Sequence, residues 1–298
     1  MTINDKLKIL NKHKNDLDKI SFNELYSFIG ELGLKNLCCI NLSNEIEIFR
    51  AVPSEEQDFE NIKRISYNPN PTKYSRANRI GFPMFYGAFP SEKKCDPVKL
   101  FGANCFEVIE ILRNHPKELK QGKVNLTLGI WKVKAKIPAI SLVFNDNLVK
   151  NSIDFLELQN SYRNSFNKYP DDIRIMEFFS EEFSKAEIQK NSDYKLSAAF
   201  SEFVIKNNPL DIEAIIYPSV RCGGEGFNIA MTPRYVKLFL KPDKVLTFDV
   251  YIENFKVAMD LIKESDIDEL TGEINLIKSK DPNSNIGEIR IRKMLDLI

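Results

Sequence analysis

Apolar positions recur at helical spacing near the start of the chain and at every second position through much of the remainder. Between Met1 and about Gly33, Leu10, Leu17 and Ile20 stand among lysines. A second helix is better marked. Ser21 followed by Glu24 forms a capping box, Phe22, Leu25, Phe28, Ile29 and Leu32 give one apolar face, and Gly33 supplies a stop. Residues 1–36 are therefore predicted to form an N-terminal helical appendage or lid, joined to residues 37–298 without a Pro/Gly-rich linker. No internal repeat or low-complexity segment interrupts the chain.

From Leu37 onward the period shortens to two. Glu45–Ala51 alternates so that Ile46, Ile48 and Arg50 share one face, which ends an apolar row on an arginine. Gly81–Phe89 points Met84, Tyr86 and Ala88 one way and Phe85, Gly87 and Phe89 the other. Leu126–Val133, Ala139–Phe144, Ala214–Tyr217 and Val245–Ile252 complete about six predicted strands. Helices are predicted at about Asn104–Asn114, Ile153–Phe166, Asp171–Lys190, Lys195–Asn207 and Asn254–Glu264, with a helical insertion at about 145–210. These elements do not alternate as regular βαβ units. The predicted class is α+β, with a mixed, mainly antiparallel sheet.

A chain of 298 residues with 43% hydrophobic residues can bury a core without staples. Its 42 basic and 42 acidic residues cancel, so no overall positive field favours nucleic acid or an anionic membrane. No apolar run reaches the roughly 20 residues of a spanning helix. The five cysteines, Cys38, Cys39, Cys95, Cys105 and Cys222, are odd in number and follow a start with no apolar signal region, which fits a reducing cytoplasm. They have no Cys-x-x-Cys spacing and no nearby histidine, so no metal is expected. His13 lies in a charged helix and His115 precedes Pro116, which argues against a histidine-based triad. Walker and Rossmann glycine strings are missing. Nothing in the pattern sets an oligomeric state.

The polar residues set into apolar segments carry the remaining chemistry. Arg50 is either a surface arginine at a strand end or a guanidinium fork for phosphate oxygens. The basic turn Arg76-Ala-Asn-Arg79 runs into the strand of Tyr86, which is either ordinary core or a ring that stacks on a ligand. Glu107 and Glu110, three apart, share one helix face that is either solvated or turned into a cleft. Ile215–Ser219 leads into the glycine-rich stretch Gly223-Gly-Glu-Gly226, either a plain turn or a set of N–H groups open to an anion beside the Ser219 hydroxyl.

Taken in order, Phe49-Arg50-Ala51, Asn78-Arg79 with Gly81–Ala88, Phe106-Glu107-Val108, and Tyr217-Pro-Ser219 with Gly226-Phe-Asn228-Ile-Ala resemble the RES domain, a family named for its arginine, glutamate and serine. The likeness spans roughly Ile46 to Ala230 and is weaker at about 145–210. It implies a fold similar to the ADP-ribosyltransferase toxins and an enzyme that destroys NAD at its nicotinamide–ribose bond, by phosphorolysis with inorganic phosphate as co-substrate or by hydrolysis. A protein antitoxin is the implied partner. Carried over by position, Arg50 and Arg79 match arginines that hold the diphosphate and any incoming phosphate, and Tyr86 the tyrosine beside the nicotinamide ribose. Glu107 matches the glutamate, Ser219 the serine, and Asn228 is a weaker match in the loop after it. Ala51 stands where the family often has tyrosine, and Asn78-Arg79-Ile80-Gly81 replaces the usual Gly-Arg-Trp/Phe-Asn. The interval from Tyr86 to Glu107 is longer than in compact members, which leaves the choice between Glu107 and Glu110 open.

Overall fold

Two capped helices open the computed structural model, which describes residues 1–54, 59–90, 121–150, 152–186, 188–220, 226–253, 256–268 and 271–278. Helix α1 (Ile3–His13) starts where the Thr2 hydroxyl accepts from the Asp5 N–H and the Asp5 carboxylate accepts from the Thr2 N–H. In α2 (Phe22–Glu31) the box is Ser21 and Glu24, with bonds of 2.8 and 3.1 Å, and Gly33 follows at φ 75°. Both ends are the ones the sequence marks.

The strands are β1 (Cys39–Leu42), β2 (Glu47–Pro53), β3 (Phe85–Pro90), β4 (Gln121–Val133), β5 (Ile137–Ser141), β6 (Ala214–Pro218), β7 (Gly226–Met231), β8 (Leu240–Glu253), β9 (Lys256–Asp266) and β10 (Ile277–Lys278). They form one sheet in the order β1-β5-β6-β7-β3-β2-β4-β8-β9-β10. Every neighbouring pair is antiparallel except β5 with β6. The class is α+β with a mixed, mostly antiparallel sheet. A parallel pair needs a long crossover. Here that connection carries α3 (Asp146–Val149), α4 (Ile153–Ser165), α5 (Pro170–Phe183) and α6 (Lys195–Asn207), so the helical stretch expected at about 145–210 is the β5–β6 crossover. A last short helix, α7 (Pro233–Phe239), precedes β8.

Strand bounds shift by a few residues, as where Gly81–Phe89 becomes Phe85–Pro90, and three segments differ more. The segment expected as a helix at Asn254–Glu264 is a strand from Lys256, paired with β8 from Glu253↔Lys256 through Lys244↔Asp266. Its Val257, Leu261 and Ala258, Ile262 satisfy a helical spacing, while Val257, Met259 and Leu261 satisfy a spacing of two, and the waiting edge of β8 decides. Helix α5 ends at Phe183 rather than continuing to Lys190. Residues 226–231, expected as the far side of a loop, form the strand between β6 and β3. The helix expected at Asn104–Asn114 lies outside the described residues.

One core joins the N-terminal helices to the sheet: Leu10, Leu25 and Ile29 are buried in the same cluster as Phe179, Phe200, Ile140 and Ile215. Polar bonds fix the seam. Lys195 at the start of α6 is buried and donates through Nζ to the carbonyls of Leu17 (2.6 Å) and Ile20 (2.8 Å). The buried Asp172 carboxylate accepts from the backbone N–H groups of Lys35 and Asn36, both at 3.2 Å, and from Asn36 Nδ2 at 2.7 Å. Residues 1–36 are thus packed on α5 and α6 as part of the fold. A second small cluster, Phe59, Ile65, Val245, Ile267 and Ile274, covers the sheet beside β2.

Candidate functional site

Arg50 stands in the middle of the sheet. In register it faces Gly129 on β4, and the Phe49↔Ala88 pair puts Gly87 of β3 on its other side. Neither glycine leaves room for a side chain. A Cβ at Gly87 would collide with Ile48 Cγ2, and one at Gly129 would lie 3.0 Å from Ile65 Cγ2 and from Trp131 Nε1. The guanidinium lies 5.4 Å from the Phe85 ring centre, donates from Nε to the Ile65 carbonyl (2.9 Å) and donates from Nη1 to the Tyr86 carbonyl (2.7 Å). Two carbonyls fix its plane. Among the described residues no carboxylate pairs with it, and burial pulls its pKa from 12.5 down to about 10. Keeping it charged there costs about 3 kcal/mol, the equivalent of that difference at 1.36 kcal/mol for each factor of ten.

Other donors share this face of the sheet. Counting by twos along β4 from Gly129 reaches Thr127 in one direction and Trp131 in the other, with Thr247 registered opposite Thr127. The Thr127 and Thr247 hydroxyls and Trp131 Nε1 are buried without a hydrogen-bond partner among the described residues. Such groups are uncommon in a folded interior.

Tyr86 leaves the strand on the opposite face, because alternation separates it from Gly87 and Arg50. Its hydroxyl donates to Asn78 Oδ1 (2.7 Å) and accepts from the Ala77 N–H (2.9 Å). Burial pushes its pKa well above the usual phenol range. The Ala77 N–H and the positive charges of Arg50 and Arg76 act in the other direction. The ring therefore anchors the loop that precedes its own strand.

Arg76 is the residue that reading the sequence missed. Its Nη2 donates to the Lys185 carbonyl (2.7 Å), the guanidinium lies 5.6 Å from the Tyr194 ring centre, and Nη1 is buried with no hydrogen-bond partner among the described residues. Arg79 is differently placed. Its Nε lies 2.7 Å from Glu202 Oε2 on α6, at ion-pair distance although the N–H is not aligned for a hydrogen bond, and its guanidinium lies 3.8 Å from the Phe82 ring centre and 5.1 Å from that of Phe22. Arg79 already has its anion. Two arginines three positions apart look alike in a sequence, and only their neighbours distinguish them.

Ser219, just past β6, is buried, and its N–H donates to the Gly226 carbonyl (2.7 Å) to close the glycine-rich connection, of which residues 221–225 lie outside the described residues. Asn228 lies in β7, registered with Tyr217 and Ala88, which places it on the Tyr86 face. Arg50, Tyr86 and Asn228 thus come from three adjacent strands, with Arg50 on one face and the other two on the reverse. Glu107 and Glu110 lie outside the described residues.

No protein-family model matches the chain, and no curated protein matches it. Among the described residues no group of His, Cys, Asp and Glu is arranged to hold a metal ion, and no helix is long and apolar enough to cross a membrane.

Proposed function

We propose that this protein is an NAD-degrading enzyme of RES type, with a catalytic fold like that of the ADP-ribosyltransferases, acting as a cytoplasmic toxin whose partner is a protein antitoxin. The observation that carries this reading is Arg50, a buried guanidinium fixed by two carbonyls and without a carboxylate among the described residues. An unanswered buried charge is costly, and an incoming anion with paired oxygens offsets that cost. The diphosphate of NAD has such oxygens. Arg76, whose Nη1 is buried and without a hydrogen-bond partner among the described residues, supports the same chemistry and takes the place first given to Arg79.

In the proposed reaction an oxygen of water or inorganic phosphate bonds to the anomeric carbon of the nicotinamide ribose. The nicotinamide–ribose bond breaks, its electron pair goes to the pyridinium nitrogen, neutral nicotinamide leaves, and the proton of an attacking water passes to solvent. The Glu107 carboxylate stabilises the positive charge that develops on the ribose. A leaving group that is already cationic needs no acid to expel it. Arg50 contributes by positioning on one face of the sheet, Arg76 and Asn228 on the reverse face beside Tyr86, with Ser219 as a further polar contact.

Incubation of the purified protein with NAD, with and without phosphate, tests the reading. Release of nicotinamide with ADP-ribose or its phosphate ester is expected. Label transferred to protein or nucleic acid would instead identify an ADP-ribosyltransferase, and intact NAD a non-catalytic nucleotide sensor.

A further inference from the structure

The segment Pro71–Phe82 carries Arg76 and Asn78. Its Ile80 and Phe82 are exposed, and its internal bonds are short-range: Gly81 N–H to the Pro71 carbonyl (2.8 Å), Ser75 and Asn78 exchanging backbone bonds of 3.0 and 3.3 Å, Phe82 N–H to the Arg79 carbonyl (3.1 Å), and Asn78 Nδ2 to the carbonyls of Arg79 (3.1 Å) and Lys73 (3.5 Å). Its other ties come from outside. Tyr74 exchanges two bonds with the Asn191 side chain, at 2.9 and 2.8 Å. On the other side the Tyr74 ring stacks on Phe22, the first residue of α2, with centroids 6.1 Å apart and planes 17° apart. Phe22 also lies under the Arg79 guanidinium. The start of α2 is itself tied down, since Lys195 grips the carbonyls of Leu17 and Ile20 while its ammonium lies 5.9 Å from the Tyr74 ring centre.

These contacts form a chain from the N-terminal helices through Phe22 and Tyr74 to the loop, and from Asn78 and Ala77 to the Tyr86 hydroxyl. Resting on the reading of Arg76 as a ligand-facing group, we propose that helices α1 and α2 brace the arginine loop and that Phe22 is a positioning residue for Arg76. The helices that the sequence marks as an appendage are then a working part of the site. Ordering the loop before the ligand arrives lowers the entropic cost of binding.

The test measures amide exchange and binding in wild type, Phe22→Ala, Phe22→Tyr and Asn191→Ala. Phe22→Ala should speed exchange in residues 72–82 by about tenfold while β4, β8 and α6 keep their protection, as for local rather than global opening. Phe22→Tyr, which keeps the ring, should match wild type, and Asn191→Ala should loosen the same residues from the other side. By calorimetry, ADP-ribose should bind Phe22→Ala about five- to tenfold more weakly, with wild-type affinity restored in Phe22→Tyr. Unchanged loop exchange in both alanine variants overturns the brace, as does faster exchange throughout the protein in step. Unaltered ADP-ribose affinity in a variant with a loosened loop overturns the positioning role. If wild type itself binds no ADP-ribose, the NAD reading and the positioning role fall together, and exchange alone decides whether the helices brace the loop.

Discussion

Arg50 and Arg79 have the same side chain and opposite surroundings. Arg79 meets a carboxylate at 2.7 Å and two aromatic rings, on a helical layer where its side chain is still 30% exposed. Arg50 sits in the sheet between two glycines, bonded to carbonyls that fix its direction without answering its charge. A guanidinium whose charge is matched inside the protein holds structure together, whereas one fixed in place and left unmatched is available to an anion. The residue type alone does not separate these two cases.

The largest expected effect lies with the proposed catalytic carboxylate. Glu107→Gln should keep NAD binding and lose turnover by about a hundredfold or more, the scale of one electrostatic partner in a transition state. Glu110→Gln should change little. A dead Glu110→Gln variant beside an active Glu107→Gln would mean that the wrong carboxylate has been assigned.

The arginines come next. Arg50→Lys keeps a charge but loses the paired donors, and binding of NAD and ADP-ribose should weaken by roughly 1–3 kcal/mol, as for a hydrogen bond to a charged group. Nicotinamide, which has no phosphate, should bind as before. Arg76→Gln should show the same pattern, whereas Arg79→Lys should leave all three affinities near wild type. Calorimetry on the three variants decides, and equal losses at Arg50 and Arg79 would erase the distinction drawn between them.

Stability should reverse the ranking. Arg79→Gln breaks the contact with Glu202, a partly exposed pair for which a loss of about 0.2–1 kcal/mol is typical. Tyr86→Phe should cost more, about 1–3 kcal/mol, because it leaves Asn78 Oδ1 and the Ala77 N–H without their partner. Thermal melts measure both. A Tyr86→Phe variant as stable as wild type would show that water replaces the hydroxyl without loss.

The smallest effect is one of pH. Burial lowers the Arg50 pKa to about 10, so the free protein keeps that charge at neutral pH and gives it up as pH rises through about 10. The charged form is the one burial disfavours, so its cost to stability is full below about pH 10 and fades between there and 12.5, where the unfolded chain still carries the proton. Affinity for ADP-ribose should therefore decline above about pH 10 in wild type more than in Arg50→Gln, which has no charge there to lose. Parallel declines in the two would assign the titration to other groups.

Several features follow from the sequence because their causes are local. The capping boxes at Thr2 and Ser21, the stop at Gly33 and the alternation of Ile48 and Arg50 depend on residues within a few positions of one another. The α+β class follows from the order of periods along the chain, and Arg50 and Tyr86 stand out because polar residues break apolar strands, whereas Asn228, read as part of a loop, lies in β7. Tertiary structure decided the rest, for reasons no window of sequence contains. Residues 256–266 become a strand because β8 offers an edge, and the β5–β6 crossover needs helices because that pair is parallel. The division of roles between Arg76 and Arg79 turns on Glu202, more than 100 residues away in sequence and within an ion-pair distance in space.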